Sequence, residues 1–165
     1  MAQKKEVYKA KVKQVGYWKY SDLYDLLFRW LKDHDYKINE KKYGEKLKPV
    51  GKEIEIKWEA EKKVTDYFKY QIKAEWLILG MNDAEVEVDG KKTKTNKGEV
   101  EIIFKANIIR DYEARWEDAP RWKFMRGLYE KYIIRETIKE YEDDLEDDVR
   151  EIIDEMKAFL RLTNS

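Results

Sequence analysis

Carboxylates are the residues of this chain best placed to do chemistry. YEDDLEDDVREIIDE, Tyr141 to Glu155, holds nine of them in fifteen residues. Such density could hold a cation, dock a basic partner or wet one side of a helix. A calcium loop needs oxygen ligands at alternate positions and a glycine at its sharp turn. This run has no glycine, and Leu145 and Val149 interrupt it at helical spacing. It therefore reads first as a solvated helix face, second as a docking site for a basic partner, and last as a metal centre. His34, the one histidine, lies between Asp33 and Asp35 near a helix end, which suits a helix-end residue better than a catalyst. The absence of cysteine removes thiol nucleophiles, thiolate metal sites and disulfides. The chain holds no dinucleotide fingerprint, P-loop, zinc-protease motif or nucleophile elbow. Asp66, Asp111, Glu113 and Arg115 are the groups left for acid–base work at a rim.

These groups must be positioned by elements whose period changes along the chain. EVYKAKVKQ alternates, with Tyr8, Ala10 and Val12 on one face and Lys9, Lys11 and Lys13 on the other, as in a half-buried strand. The lysine row sits across from glutamates of a neighbouring strand in this reading. In SDLYDLLFRWLKDH, Ser21 is placed to cap a helix whose apolar stripe is Leu23, Leu26, Leu27, Trp30 and Leu31. A brief strand at 36–43 precedes a loop with Pro49 and Gly51. From there the period is two. Seventeen even-numbered positions, in 54–60, 68–76, 84–88 and 100–108, form an inward row with no charge. A turn is expected at 80–83, and Asp89-Gly90 predicts a tight hairpin. Each strand keeps one charged face, which predicts an antiparallel meander.

After Pro120 the period is helical, with Asp118 or Glu117 at the start. The first stripe is Trp122, Met125, Leu128, Tyr129, Tyr132 and Ile133; the second is Leu145, Val149, Ile152, Met156 and Phe159. Acidic starts and basic ends in each half predict two helical units meeting near 142–144. The fold class expected is α+β: an antiparallel meander with one short N-terminal helix and a long C-terminal helix packed on it, either broken near 142–144 or, since no Gly or Pro enforces a break there, continuous and bent. The chain reads as a single domain over 1–165, a core at 6–142 and a helical extension at 143–165.

Charged residues are 42% of the chain, yet 35 basic and 35 acidic groups cancel. No overall field draws in nucleic acid or an anionic membrane. The best basic segment, KKTKTNK at 91–97, carries no interleaved aromatics and reads as a solvated hairpin tip. Apolar runs are too short to span a bilayer, the start lacks a signal peptide's apolar stretch, and a cytoplasmic location is the expectation. Abundant Lys and Glu with scarce Gly and Pro lean toward a thermophilic source.

The order strand, short helix, meander, long C-terminal helix resembles the helix-grip fold of the START and polyketide-cyclase-like superfamily, from Glu6 to Tyr141. The resemblance rests on the order of elements, with no motif residue matched. It implies a curved sheet around the final helix, often with a cavity for a lipid, sterol or other apolar molecule. The uncharged aromatic row then makes Trp58, Phe68, Tyr70, Trp76, Phe104, Trp122, Met125 and Tyr129 the expected ligand-binding lining, in a non-enzymatic binding protein with no cofactor and no metal. The alternative is an interaction or assembly subunit with a filled core. Leu77, Leu79, Ile103 and Ile109 are its expected interface, because they interrupt the charged outer face and need a cover.

Overall fold

The computed structural model describes residues 3–110 and 135–164, together with Leu128. Its elements are β1 (Gln3–Tyr17), α1 (Tyr20–Asp33), β2 (Lys37–Lys48), β3 (Gly51–Lys63), β4 (Phe68–Val88), β5 (Lys91–Arg110) and α2 (Arg135–Asn164). The strands form one open antiparallel sheet in the order β1-β5-β4-β3-β2. The fold is the expected α+β meander, and a five-stranded antiparallel sheet with a C-terminal helix is consistent with a helix-grip-like arrangement. Among the described residues, no helix is long and apolar enough to cross a membrane.

Period-two alternation builds the core. Ile54, Ile56, Trp58 and Ala60 of β3 share a face with Phe68 to Ile78 of β4 and Val100 to Ile108 of β5, and the even positions of this face are buried. Leu23, Leu27, Trp30 and Leu31 of α1 and Leu145, Val149, Ile152, Ile153, Met156 and Leu160 of α2 are buried in the same core. Leu26 and Phe159, assigned to the stripes, are half-buried instead.

Four local expectations are corrected. Ser21 does not cap α1; the helix starts at Tyr20 with Lys19 as an uncapped N-cap, and the Tyr20 N–H donates to Asn96 Oδ1 at 2.9 Å. The cap comes from a strand 76 residues away, so no local signal encodes it. The turn expected at 80–83 is a bulge between Leu79 and Asn82 inside one continuous β4, with Gly80 at φ 61. The extra residue reverses which side chains face inward. Ala84, Val86 and Val88 therefore leave the core row: Val88 is 51% exposed, and Asp83, Glu85 and Glu87 pair instead with Asn96, Lys94 and Lys92. The break expected near 142–144 is absent, because α2 runs unbroken through it. Of the first C-terminal stripe, Leu128 is described and exposed; the other members and the helix start at Asp118 and Pro120 lie outside the described residues.

The hairpin at Asp89-Gly90 forms as expected, with φ of 52° and 78° and Val88 opposite Lys91. The lysine row of β1 also meets glutamates: Lys11–Glu101 at 3.4 Å and Lys13–Glu99 at 2.9 Å. A second bulge, between Glu6 and Tyr8, turns Lys5 toward the helix side, where it pairs with Glu142 of α2 at 2.6 Å.

Candidate functional site

Trp58, Phe68, Tyr70, Trp76 and Phe104 lie on one face and are all buried. Trp58 and Trp76 meet edge to face at 5.1 Å. Tyr141 of α2 packs on Phe68 at 5.1 Å and on Tyr70 at 6.3 Å. α1 adds a row of rings that its apolar stripe from Leu23 to Leu31 does not include. Tyr20, Tyr24 and Phe28, four residues apart, stack at 6.2 Å spacing. Tyr24 and Phe28 then close over Trp58 at 5.0 and 6.0 Å. Each such ring pair adds about 0.5–1.5 kcal/mol beyond its burial. Four pockets lined by described residues lie at the periphery, and these five side chains line none of the four. Trp122, Met125 and Tyr129 lie outside the described residues. The Trp76 indole N–H is buried without a hydrogen-bond partner.

Polar groups ring this aromatic floor. Glu40, a carboxylate the sequence reading did not place there, is opposite Trp58 and accepts from Trp58 Nε1 at 3.3 Å and Tyr24 Oη at 3.0 Å. Burial, then Glu40, pushes the Tyr24 hydroxyl up to about 12. A bulge between Glu40 and Lys42 brings Tyr43 and Glu45 to the same side, where Tyr20 donates to Tyr43 at 3.0 Å and Tyr43 to Glu45 at 2.9 Å. Two-residue periodicity read straight through that bulge cannot find this row.

At the other end of the sheet, α2 supplies the acceptors. Tyr36 donates to Asp148 at 2.8 Å and Tyr70 to Asp144 at 2.9 Å. Burial raises both tyrosines above their ordinary value, reinforced by those carboxylates. Burial also raises Asp148, against the pull of the Tyr36 hydrogen bond. The acidic stretch is thus not uniformly solvent-facing, as expected from its charge. Asp143 and Asp147 are exposed, but Asp144 and Asp148, four residues apart, reach inward to two buried hydroxyls.

His34 ends α1, stacked on Trp30 at 3.8 Å. Its Nδ1 donates to the Trp30 carbonyl at 2.8 Å, and its Nε2 lies 3.7 Å from Glu151 of α2. Between the two helices runs an open groove of about 680 Å³. Trp30, on its wall, is 7% exposed, and its indole N–H has no partner. Among the described residues, no group of three or more His, Asp or Glu is arranged to hold a metal ion. Asp66 is exposed in the turn before β4; Asp111, Glu113 and Arg115 lie outside the described residues.

Leu77, Leu79, Ile103 and Ile109 are half-buried on the outer face. Each lies opposite a charged residue: Leu77 faces Glu101, Leu79 faces Glu99, Ile103 faces Glu75 and Lys11, and Ile109 faces Lys69 and Lys4. Long charged side chains can cover apolar neighbours with their stems. Buried Gln71 and Asn107 hydrogen-bond across the same face at 3.2 Å.

No family model matches the chain, and no curated protein matches it.

Proposed function

We propose that this chain is a non-enzymatic interaction module with a filled core, and that its working surface is its exterior. The observation that carries this reading is the packing of the aromatic face. Trp58, Phe68, Tyr70, Trp76 and Phe104 were the candidates to line a chamber, and each is at most 1% exposed and packed among side chains of the same core. Close packing is the ordinary state of a protein interior. One open space bounded by described residues lies outside that core, in the groove between α1 and α2.

A second reading, a holder of an apolar small molecule under the helices, draws support from one atom. Trp76 Nε1 is a buried donor without an acceptor, and an unmet buried donor costs about 1–3 kcal/mol. A ligand with a polar tip would relieve it. Native mass spectrometry of the purified chain, with solvent extraction, separates the two. The interaction reading expects no bound mass and no thermal shift with fatty acids, sterols or isoprenoids. A stoichiometric extracted molecule would replace it with the second reading.

A further inference from the structure

The interaction reading leaves the partner open, and the groove narrows it. Resting on that reading, we propose that the α1–α2 groove docks a basic amphipathic helix of another protein. Its floor is apolar, from Leu26, Trp30 and Phe159. Its rim is acidic on both sides, with Asp22, Asp25 and Asp33 on α1 and Glu151 and Glu155 on α2. Among the described residues of the lining, Arg29 and His34 stand against these five carboxylates, and His34 already faces Glu151. The whole chain carries no net charge, so the negative sign belongs to this place and not to a general field. An occupant that complements it has cations at its edges and apolar side chains between them.

Shape selects a helix over a small molecule. The α1 wall runs from Asp22 to Asp33, roughly 16 Å at 1.5 Å per residue, which is about three helical turns. Small-molecule sites enclose most of their ligand's surface, whereas this groove is open to solvent. Two neighbouring helices with an open groove between them offer the geometry in which a third helix lays its apolar face.

A second observation is independent of the charges. Trp30 is more than nine-tenths buried on the groove wall, and its indole N–H is without an acceptor in the free chain. An occupant that brings an oxygen to this indole, with a small shift of the side chains around it, completes a bond that the chain does not make for itself.

The test uses the full chain and a fluorescently labelled Leu/Lys amphipathic peptide of about four helical turns, with its Leu/Glu counterpart as control. Binding is followed by anisotropy and by the Trp30 indole N–H resonance, assigned with Trp30→Phe. Asp25→Lys and Glu155→Lys alter exposed positions, and circular dichroism checks that they fold. The inference expects the Leu/Lys peptide to bind and move the Trp30 resonance. Each reversal should weaken binding by about fivefold or more, the scale of one surface ion pair. Equal binding of the Leu/Glu peptide, or no binding of either, overturns it. Binding that both reversals leave unchanged also overturns the groove, while the interaction reading stands on another surface. A stoichiometric apolar molecule extracted from the purified chain overturns the interaction reading itself.

Discussion

Removing the Asp144 carboxylate should cost more than removing the Tyr70 hydroxyl it binds, although the two changes delete the same hydrogen bond. Tyr70 is 1% exposed, and its hydroxyl donates to Asp144 Oδ2 at 2.9 Å. Asp144 itself is exposed on α2. In Tyr70→Phe the carboxylate is left near water, which rehydrates it, so the loss is that of one net hydrogen bond, about 1 kcal/mol. In Asp144→Ala the hydroxyl is stranded in the core, and an unmet buried donor costs about 1–3 kcal/mol. Asp144 also repels Asp148 four residues on, and its removal returns a few tenths of a kcal/mol, roughly 0.2–0.5. The net expectation, from the middle of these ranges, is about 1.7 kcal/mol for Asp144→Ala. The double mutant should cost less than the sum of the two, with a coupling of about 1 kcal/mol. Urea unfolding of the four-member cycle measures all three quantities. Asp147→Lys, at an exposed position one turn away, should shift stability by less than about 0.5 kcal/mol. An Asp144→Ala cost equal to that of Asp147→Lys would refute the claim that part of the acidic stretch is structural.

Asp148 is held above its ordinary 3.8 chiefly by burial, so the folded chain binds its proton more tightly than the unfolded chain does. Its contribution is therefore present below 3.8 and lost as pH rises through the raised value. Asp148→Asn, which keeps an acceptor for Tyr36, should hold or raise the urea midpoint at neutral pH and flatten its slope above 3.8; a large drop would mean that the ionised hydrogen bond outweighs burial. Tyr20, Tyr36 and Tyr70 are raised by burial from 10.0, so their support is complete below that value and lost above it. Tyrosinate absorbance for these three should then appear together with loss of circular dichroism, and titration of all twelve tyrosines before unfolding would contradict this. Gly51 has φ +134, and a Cβ there would lie 2.7 Å from the Gly80 carbonyl carbon. Gly51→Ala should cost more than about 1 kcal/mol by chemical denaturation, and a neutral result would deny the close approach. Ile152→Asp, at a fully buried position of α2, should cost about 2–5 kcal/mol, and a mild effect in the same assay would invert the face assigned to the helix.

What the sequence made legible divides at the bulges. Where β3, β4 and β5 keep strict alternation, the buried rows from Ile54 to Ala60, Phe68 to Trp76 and Val100 to Ile108 could be read residue by residue. Past the bulge at Leu79 and Asn82 the same alternation pointed Ala84, Val86 and Val88 the wrong way, because one extra residue inverts a period of two. The bulge at Glu40 and Lys42 hid Tyr43 and Glu45 for the same reason. The helix end in α1 was misplaced for a different one: its cap is Asn96, which is distant in sequence. Charge density in α2 suggested a uniformly wet face, and a count of carboxylates carries no information on which of them meets a buried hydroxyl. Tyr36 and Tyr70, lone polar tips on apolar rows, were the available signal, since a buried hydroxyl needs a partner.

The outer face bears on where a partner would sit. Leu77, Leu79, Ile103 and Ile109 were expected to need a cover, from the chain's last helix or from another subunit, and each lies opposite a Glu or Lys whose stem can shield it. The pairs on that face, such as Lys73–Glu59 at 3.8 Å and Lys105–Glu75 at 3.7 Å, add little stability individually, about 0–1 kcal/mol. Their larger effect is to keep long side chains lying across the sheet. A partner docking there would have to displace several such pairs and desolvate charges on both sides, at a cost that apolar contact with four half-buried residues offsets poorly. The α1–α2 groove asks for less: its carboxylates stand at the rim, Leu26 and Phe159 are already half-exposed on its floor, and an occupant's cations can meet the charges without burying them.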